Sequence, residues 1–247
     1  MNNYNFKENN AWNSINESVK DIYGWSPIEQ LYSLYMLELF TQNLEGDIVE
    51  VGSWGGRSSI ALALSAKDSG KSKVYAIDYF PNASDWAENE DGTYSFTLDL
   101  MNQIIPGHKQ QTVWKEPFEN SIQPFYNEHP NLLEYFKANI NRCRLSEFVK
   151  PFRGNSGMFL ESVPKDFKCR LVFIDGEHSY SAVKTDVVNF KKYLIPGGII
   201  CFDDAFTTYD GVDAAINEMI IESGEFHSFR KLTRKLFIAI KNTDECK

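Results

Sequence analysis

The chain has 247 residues, 43% of them hydrophobic, and a formal net charge of -9; the length suits one large domain with its own core. With no Lys/Arg cluster or basic stripe, the acidic balance excludes a nucleic-acid phosphate backbone as partner and favours a small-molecule one. Cys143, Cys169, Cys201 and Cys246 lack C-x-x-C spacing, which excludes a zinc site or disulfide framework and points to a reducing cytosol, and no apolar signal core or membrane-length apolar run is present.

In chain order, residues 1–25 read as a polar lead, Asn-rich over the first ten. Ser26-Pro27-Ile28-Glu29 then predicts a helix start with Ser as N-cap, Pro at the first helical position and Glu closing a capping box. Leu31, Leu34, Tyr35 and Leu39 give it one apolar stripe, and Gly46 ends it. A strand over 47–51 leads through the turn Gly52-Ser53-Trp54-Gly55-Gly56 into an Ala/Leu-rich helix from Ser58 to Ala66, half of a βαβ unit. A second strand, 74–77, ends in Asp78. A helix from about Asn131 to Arg144 precedes a third strand over 148–152.

The two most strand-like runs, 171–174 and 199–202, end in Asp175 and in Asp203-Asp204. Between them lies a helix with Val183, Val187, Phe190 and Leu194 on one face, stopped by Pro196-Gly197-Gly198. Another stripe, Val212, Ala215, Ile216, Met219 and Ile220, ends at Gly224, and the segments 229–232 and 236–240 form a terminal hairpin. This alternation predicts an open, doubly wound, seven-stranded and mostly parallel α/β sheet of Rossmann-like type, with the hairpin adding an antiparallel strand. Residues 26–247 make a single domain. Ligands of such sheets bind beyond the carboxyl ends of the strands, where strand order reverses.

One stretch departs from the repeat. About fifty residues, 80–130, separate Asp78 from the next helix and hold Phe80, Trp86, Tyr94, Phe96, Trp114, Phe118, Phe125 and Tyr126. An insertion this aromatic is a substrate wall or lid above the strand ends, or else a satellite cluster or a subunit contact that would make a homo-oligomer.

Several strand-end residues bear on chemistry. Glu50, Gly52, Ser53 and Gly56 combine an acid with glycines that let backbone approach a ligand. The order E-x-G-x-x-x-G differs from a dinucleotide fingerprint and suits a ligand with a cationic end; close helix packing is the rival reading. Asp78 is placed to accept both ribose hydroxyls of a nucleoside, or to cap a turn. Asn155 and Ser156, after Gly154, would flank the base. Asp175, Asp203 and Asp204 bring three carboxylates to one edge, where they hold a divalent cation or, failing that, cap backbone amides.

On these residues, with Phe173-Ile174-Asp175-Gly176-Glu177-His178-Ser179-Tyr180 and Leu194-Ile195-Pro196-Gly197-Gly198, the chain resembles the class I S-adenosylmethionine-dependent methyltransferases. The likeness runs from about Gly46 to Ile240, in the branch of small-molecule and sugar O-methyltransferases. It implies that Glu50, Gly52 and Gly56 lie at the methionine end of the cofactor, Asp78 at the ribose, and Asn155 and Ser156 near the adenine, with Ser53 and Asp175 also binding the cofactor. It further implies Mg²⁺ on Asp175, Asp203 and Asp204, as in catechol-type and macrolide-sugar relatives, and His178 as general base. Glu177 is the alternative base, and a structural role in the turn is the rival for His178. His108, His129 and His227 belong to no constellation.

The expected reaction is methyl transfer to an oxygen of a sugar, sugar nucleotide or other hydroxylated metabolite, with Mg²⁺ acidifying the acceptor. A nicotinamide-dependent oxidoreductase and a non-catalytic nucleoside-binding subunit are the alternatives.

Overall fold

A computed structural model of the protein describes residues 10–70, 72–100, 103–107 and 112–243; His108, Cys246 and the first nine residues of the polar lead lie outside them. Ten strands occur among the described residues: β1 (Asp47–Val51), β2 (Val74–Asp78), β3 (Trp86–Glu88), β4 (Tyr94–Leu100), β5 (Gln103–Gly107), β6 (Val149–Arg153), β7 (Cys169–Ile174), β8 (Leu194–Phe202), β9 (Phe226–Lys231) and β10 (Phe237–Lys241). Seven make one sheet in the order β6-β2-β1-β7-β8-β10-β9; the other three form a separate antiparallel sheet.

In the large sheet β6, β2, β1, β7 and β8 run parallel and the β9–β10 hairpin is antiparallel. Every residue of β7 is buried, as a parallel strand covered on both faces requires. The chain winds outward from β1 to β2 and β6, then returns to β7 on the other side of β1. Strand order therefore reverses between β1 and β7, and the crevice opens at their carboxyl ends. One apolar cluster covers one face, drawing on helices Ile28–Thr41, Arg57–Ser69 and Leu132–Arg142; a second covers the other, under helices Tyr180–Lys191 and Asp210–Ile216.

Three elements differ from expectation. The lead is not merely polar: helix Ala11–Val19 buries Ile15 and Val19 completely, and Ile22 packs beside them in the main core. Its apolar residues are too few to outweigh the Asn, Glu and Ser around them in a composition reading. The next helix starts at Ile28 with Pro27 as an extended N-cap and no side-chain cap, and the Ser26 carbonyl before it accepts from the Arg57 guanidinium. Pro196-Gly197-Gly198 does not stop a helix, which has already ended at Lys191; it lies inside β8 as a bulge, where the pairing with β7 shifts between Cys169/Leu194 and Leu171/Ile199.

The insertion folds as β3, β4 and β5 followed by a helical stretch, Lys115–Pro117, a π turn Phe118–Ile122, and Gln123–Glu128. Phe80, Phe118, Phe125 and Tyr126 are buried in the main core. The Trp86 ring bridges the small sheet to that core, with centroids 5.0 Å from Phe96 and 5.2 Å from Phe118. Among the described residues no helix is long and apolar enough to cross a membrane.

Candidate active site

A cavity of about 910 Å³ opens over the carboxyl ends of the parallel strands. Backbone hydrogen bonds draw its floor together: the Asp175 N–H donates to the Val51 carbonyl at 2.8 Å, Gly52 to Ile77 at 2.8 Å, Gly154 to Asp78 at 2.9 Å and Asp203 to Ile174 at 3.0 Å. Each strand thus delivers its terminal residue to one place. Gly52 has φ +90, and a Cβ there would fall 2.0 Å from the Asp175 carbonyl oxygen. No side chain fits between β1 and β7 at this crossing.

Gly52, Ser53, Asp78, Asn155, Ser156 and Asp175 line the cavity, as do Glu177, His178, Asp203 and Asp204. Glu50 and Gly56 do not line it. Glu50 is fully buried beneath the turn, where one carboxylate oxygen accepts from the hydroxyls of Ser53 and Ser59. Burial pushes its carboxyl up to about 6, against the lowering pull of the surrounding serine hydroxyls. Its other oxygen, Oε1, has no partner among the described residues. Gly56 packs against the Phe136 ring, in the close helix contact that was the rival reading.

Asp78 holds two turns at once. Its Oδ2 accepts from the N–H groups of Ser53 and Trp54, both at 2.9 Å, and its Oδ1 from that of Phe80 at 2.6 Å. Trp54 and Phe80 both have φ near +44, a left-handed conformation that costs a bulky residue of order 1–3 kcal/mol. The charge-assisted bonds from Asp78 offset that strain.

At the far side of Asp78 a polar group gathers around the β6 end. Asn155 caps helix Ser156–Ser162 by accepting the Met158 N–H at 2.9 Å. The Ser156 hydroxyl accepts from Asn189 Nδ2 at 2.8 Å. Asp186, which pattern reading missed, lies buried beside them; burial raises its carboxyl to about 7, opposed by a hydrogen bond with Ser156 and assisted by the Glu177 charge.

The opposite end is acidic. His178 Nε2 stands 3.8 Å from Asp175 Oδ1 and 3.6 Å from Asp204 Oδ2, and Tyr209 packs over the imidazole with ring centroids 4.4 Å apart. Burial, then the Asp203 charge and a hydrogen bond to Asp203, hold the Asp175 carboxyl well above the usual range. Glu177 Oε1 accepts from the Ser179 hydroxyl at 2.8 Å, and Ser179 caps helix Tyr180–Lys191, so Glu177 serves that cap while His178 faces the carboxylates.

Two residues absent from the sequence reading complete this end. Gln30 Nε2 donates to Asp203 Oδ1 at 2.7 Å, and Lys235 Nζ donates to Asp203 Oδ2 at 2.7 Å and stands 3.4 Å from Asp204 Oδ1. Mg²⁺ needs oxygen lone pairs converging in near-octahedral geometry. Here both oxygens of the central carboxylate already accept from protein donors, and no group of three or more His, Cys, Asp or Glu among the described residues is arranged to hold a metal. With Lys235 on Asp203 and Asp204, the cluster as built does not fit Mg²⁺.

The aromatic insertion supplies one wall through Pro81, Trp86, Phe96, Val113 and Ile122, and Trp25 and Trp54, 5.4 Å apart, line the cavity too.

A family model described as a methyltransferase domain matches residues 49–205 of the chain. No curated protein sequence matches it. Among solved structures, the O-methyltransferase NovP is similar with a TM-score of 0.61 and 18% identity, over 87% of this chain and 81% of that one. CalS11, a TDP-rhamnose 3'-O-methyltransferase of calicheamicin biosynthesis, is similar with a TM-score of 0.55 and 15% identity, over 93% and 92%. An O-methyltransferase from Bacillus cereus, in complex with S-adenosylhomocysteine, has a TM-score of 0.52 and 14% identity, over 96% and 94%. At these identities the likeness is one of fold.

Proposed function

The chain belongs to the methyltransferase domain family, and from that premise we propose that it transfers a methyl group from S-adenosylmethionine to a hydroxyl oxygen of a small molecule, a sugar or sugar nucleotide. The observation that carries this reading is the division of one cavity into two ends. A nucleoside-type end is built from Gly52, Ser53, Asp78, Asn155, Ser156 and Asp186; a proton-accepting end is built from His178 between Asp175 and Asp204. The sugar acceptor is suggested by the sugar-modifying neighbour CalS11 and by the aromatic faces of Trp25, Trp54 and Trp86, against which a ring can lie.

The residues present fit S-adenosylmethionine. Asp78, already oriented by three amides, keeps acceptor capacity for ribose hydroxyls, and the Ser156, Asn189 and Asp186 group offers donors and acceptors to a base edge. The cofactor supplies an activated methyl group on a sulfonium. What remains for the protein is to bind, to align the acceptor oxygen and to take its proton. His178 accepts that proton at Nε2, and the Asp204 carboxylate at 3.6 Å stabilises the resulting imidazolium. Tyr209 covers the ring and helps to keep water from it.

The test pairs binding with turnover. S-adenosylhomocysteine is expected to raise the melting temperature, and labelled methyl is expected to pass from S-adenosylmethionine to a hydroxylated acceptor in a panel of sugars and nucleotide sugars. His178→Ala should lower kcat by about 10²–10⁴-fold while leaving S-adenosylhomocysteine affinity unchanged. The reading fails if S-adenosylhomocysteine does not bind, or if His178→Ala retains wild-type turnover.

A further inference from the structure

The acidic end of the cavity carries its own cation. Lys235 stands at the β9–β10 turn, is only 7% exposed, and yet lines the cavity with its ammonium beside Asp203 and Asp204. Such a side chain is ordinarily solvated at a hairpin turn. Here it is drawn inward, while the other oxygen of Asp203 is occupied by the fully buried Gln30. The Ala205 N–H donates to the Lys235 carbonyl at 2.9 Å, which ties the turn to the end of β8. Lysine and acidic cluster are thereby fixed to each other by backbone as well as by side chain.

A divalent ion at this place would face an ammonium already bound to two of its three expected ligands. The two cations compete for the same oxygens and repel one another.

Resting on the methyl-transfer reading above, we propose that Lys235 does here what a divalent metal does elsewhere, so that the reaction needs no ion. The ammonium neutralises Asp203 and Asp204, which leaves one N–H donor on a side chain that lines the cavity. Donated to the acceptor oxygen, such a hydrogen bond orients that oxygen and stabilises the negative charge it gains as its proton leaves. The balance is closed: the S–CH₃ bond breaks as the O–CH₃ bond forms, its electron pair stays on sulfur and discharges the sulfonium, and the hydroxyl proton moves to His178. No oxidant, reductant or ion enters. Lys235 in this scheme touches the acceptor and is a catalytic residue, while Gln30 is a positioning residue acting through Asp203.

The experiment uses the full chain, stripped with EDTA, and reads metal binding separately from turnover. Isothermal titration with Mn²⁺, checked by the Mn²⁺ paramagnetic resonance signal, is expected to show no stoichiometric site in the wild type, and EDTA is expected to leave its turnover unchanged. Lys235→Met should lose about 10²-fold or more in turnover in EDTA and should acquire a Mn²⁺ site, which the added substitution Asp203→Asn removes. Lys235→Arg keeps the charge and should keep the metal-free phenotype. Stoichiometric Mn²⁺ binding by the wild type, abolished by Asp203→Asn, overturns the proposal, as does wild-type turnover lost in EDTA and restored by Mg²⁺, or full turnover by a metal-free Lys235→Met. If Lys235→Met does not fold, the two wild-type measurements decide alone. S-adenosylhomocysteine affinity in the same samples reports on the methyl-transfer reading: loss of that binding sinks the reading, whereas a Mn²⁺ site with binding intact sinks only the lysine.

Discussion

Asp186 shows how a single buried carboxyl makes this protein sensitive to pH. Its carboxyl is raised from the ordinary 3.8 to about 7, chiefly by burial, so the folded chain holds a proton that the unfolded chain releases. Stability from this group is complete below the ordinary value and is lost as pH rises toward 7, by about 4 kcal/mol at roughly 1.4 kcal/mol per pKa unit. Asparagine cannot ionise and keeps the shape. Asp186→Asn is therefore expected to match the wild type near pH 4 and to exceed it in urea denaturation at about pH 8; parallel profiles across that span would refute the assignment. Asp186 was hidden from pattern reading because it sits on a helix face where an acid reads as solvated. That Gly52, Asp78, Asp175 and Asp203 meet at one edge was legible because each directly follows or closes a run of strand-forming residues, and parallel strands deliver their carboxyl ends to one side. Lys235 and Gln30 were not, since their roles come from elements far apart in sequence, and only the fold brings them to Asp203.

Among the elements, the insertion depends most on a few rings. Trp86 contacts Phe96 of the small sheet, Phe118 of the following helical stretch and Tyr126 beyond it, and Tyr94 stacks on Phe118 with centroids 3.8 Å apart. Trp86 also lines the cavity, so the same ring joins sheet to core and forms part of the cavity wall. Trp86→Ala is expected to cost about 3–5 kcal/mol, with hydrogen exchange rising first in β4, while amides of β7 stay protected until global unfolding. Uniform acceleration in β4 and β7 would show instead that the insertion has no separate dependence on this contact. The aromatic content of 80–130 announced burial, but not which surfaces it would cover. Its β4 alternates Phe96, Leu98 and Leu100 inward, a period of two that was present in the sequence and was outweighed by the irregular spacing around it.

For the whole molecule, the first described segment closes the structure around the site. Helix Ala11–Val19 buries Ile15 and Val19 in the main core, and the Arg57 guanidinium, in the first turn of the helix after the glycine turn, donates to the carbonyls of Val19 at 2.8 Å and Ile22 at 2.9 Å and to that of Ser26. The chain between these carbonyls carries Tyr23 and Trp25 to the cavity mouth, and the Tyr23 N–H donates to the Tyr135 hydroxyl at 3.1 Å. The residues expected to precede the domain therefore complete its core and its mouth. Fully burying an aliphatic side chain contributes about 1.5–3 kcal/mol, and an arginine left without its acceptors adds the cost of an unpaired, half-buried cation. Two variants separate these effects. Ile15→Ala is expected to cost about 2–4 kcal/mol with S-adenosylhomocysteine affinity unchanged, because the lost contact lies in the core and away from the cavity. A chain starting at Ser26 should lose more stability and also bind S-adenosylhomocysteine more weakly, since the Arg57 anchor and the Tyr23–Trp25 wall go together. Calorimetric melting with and without the ligand distinguishes them: saturating ligand should restore part of the melting temperature of Ile15→Ala by mass action, but little of that of the shortened chain. A shortened chain with wild-type stability and affinity would return residues before Ser26 to the status of a dispensable lead.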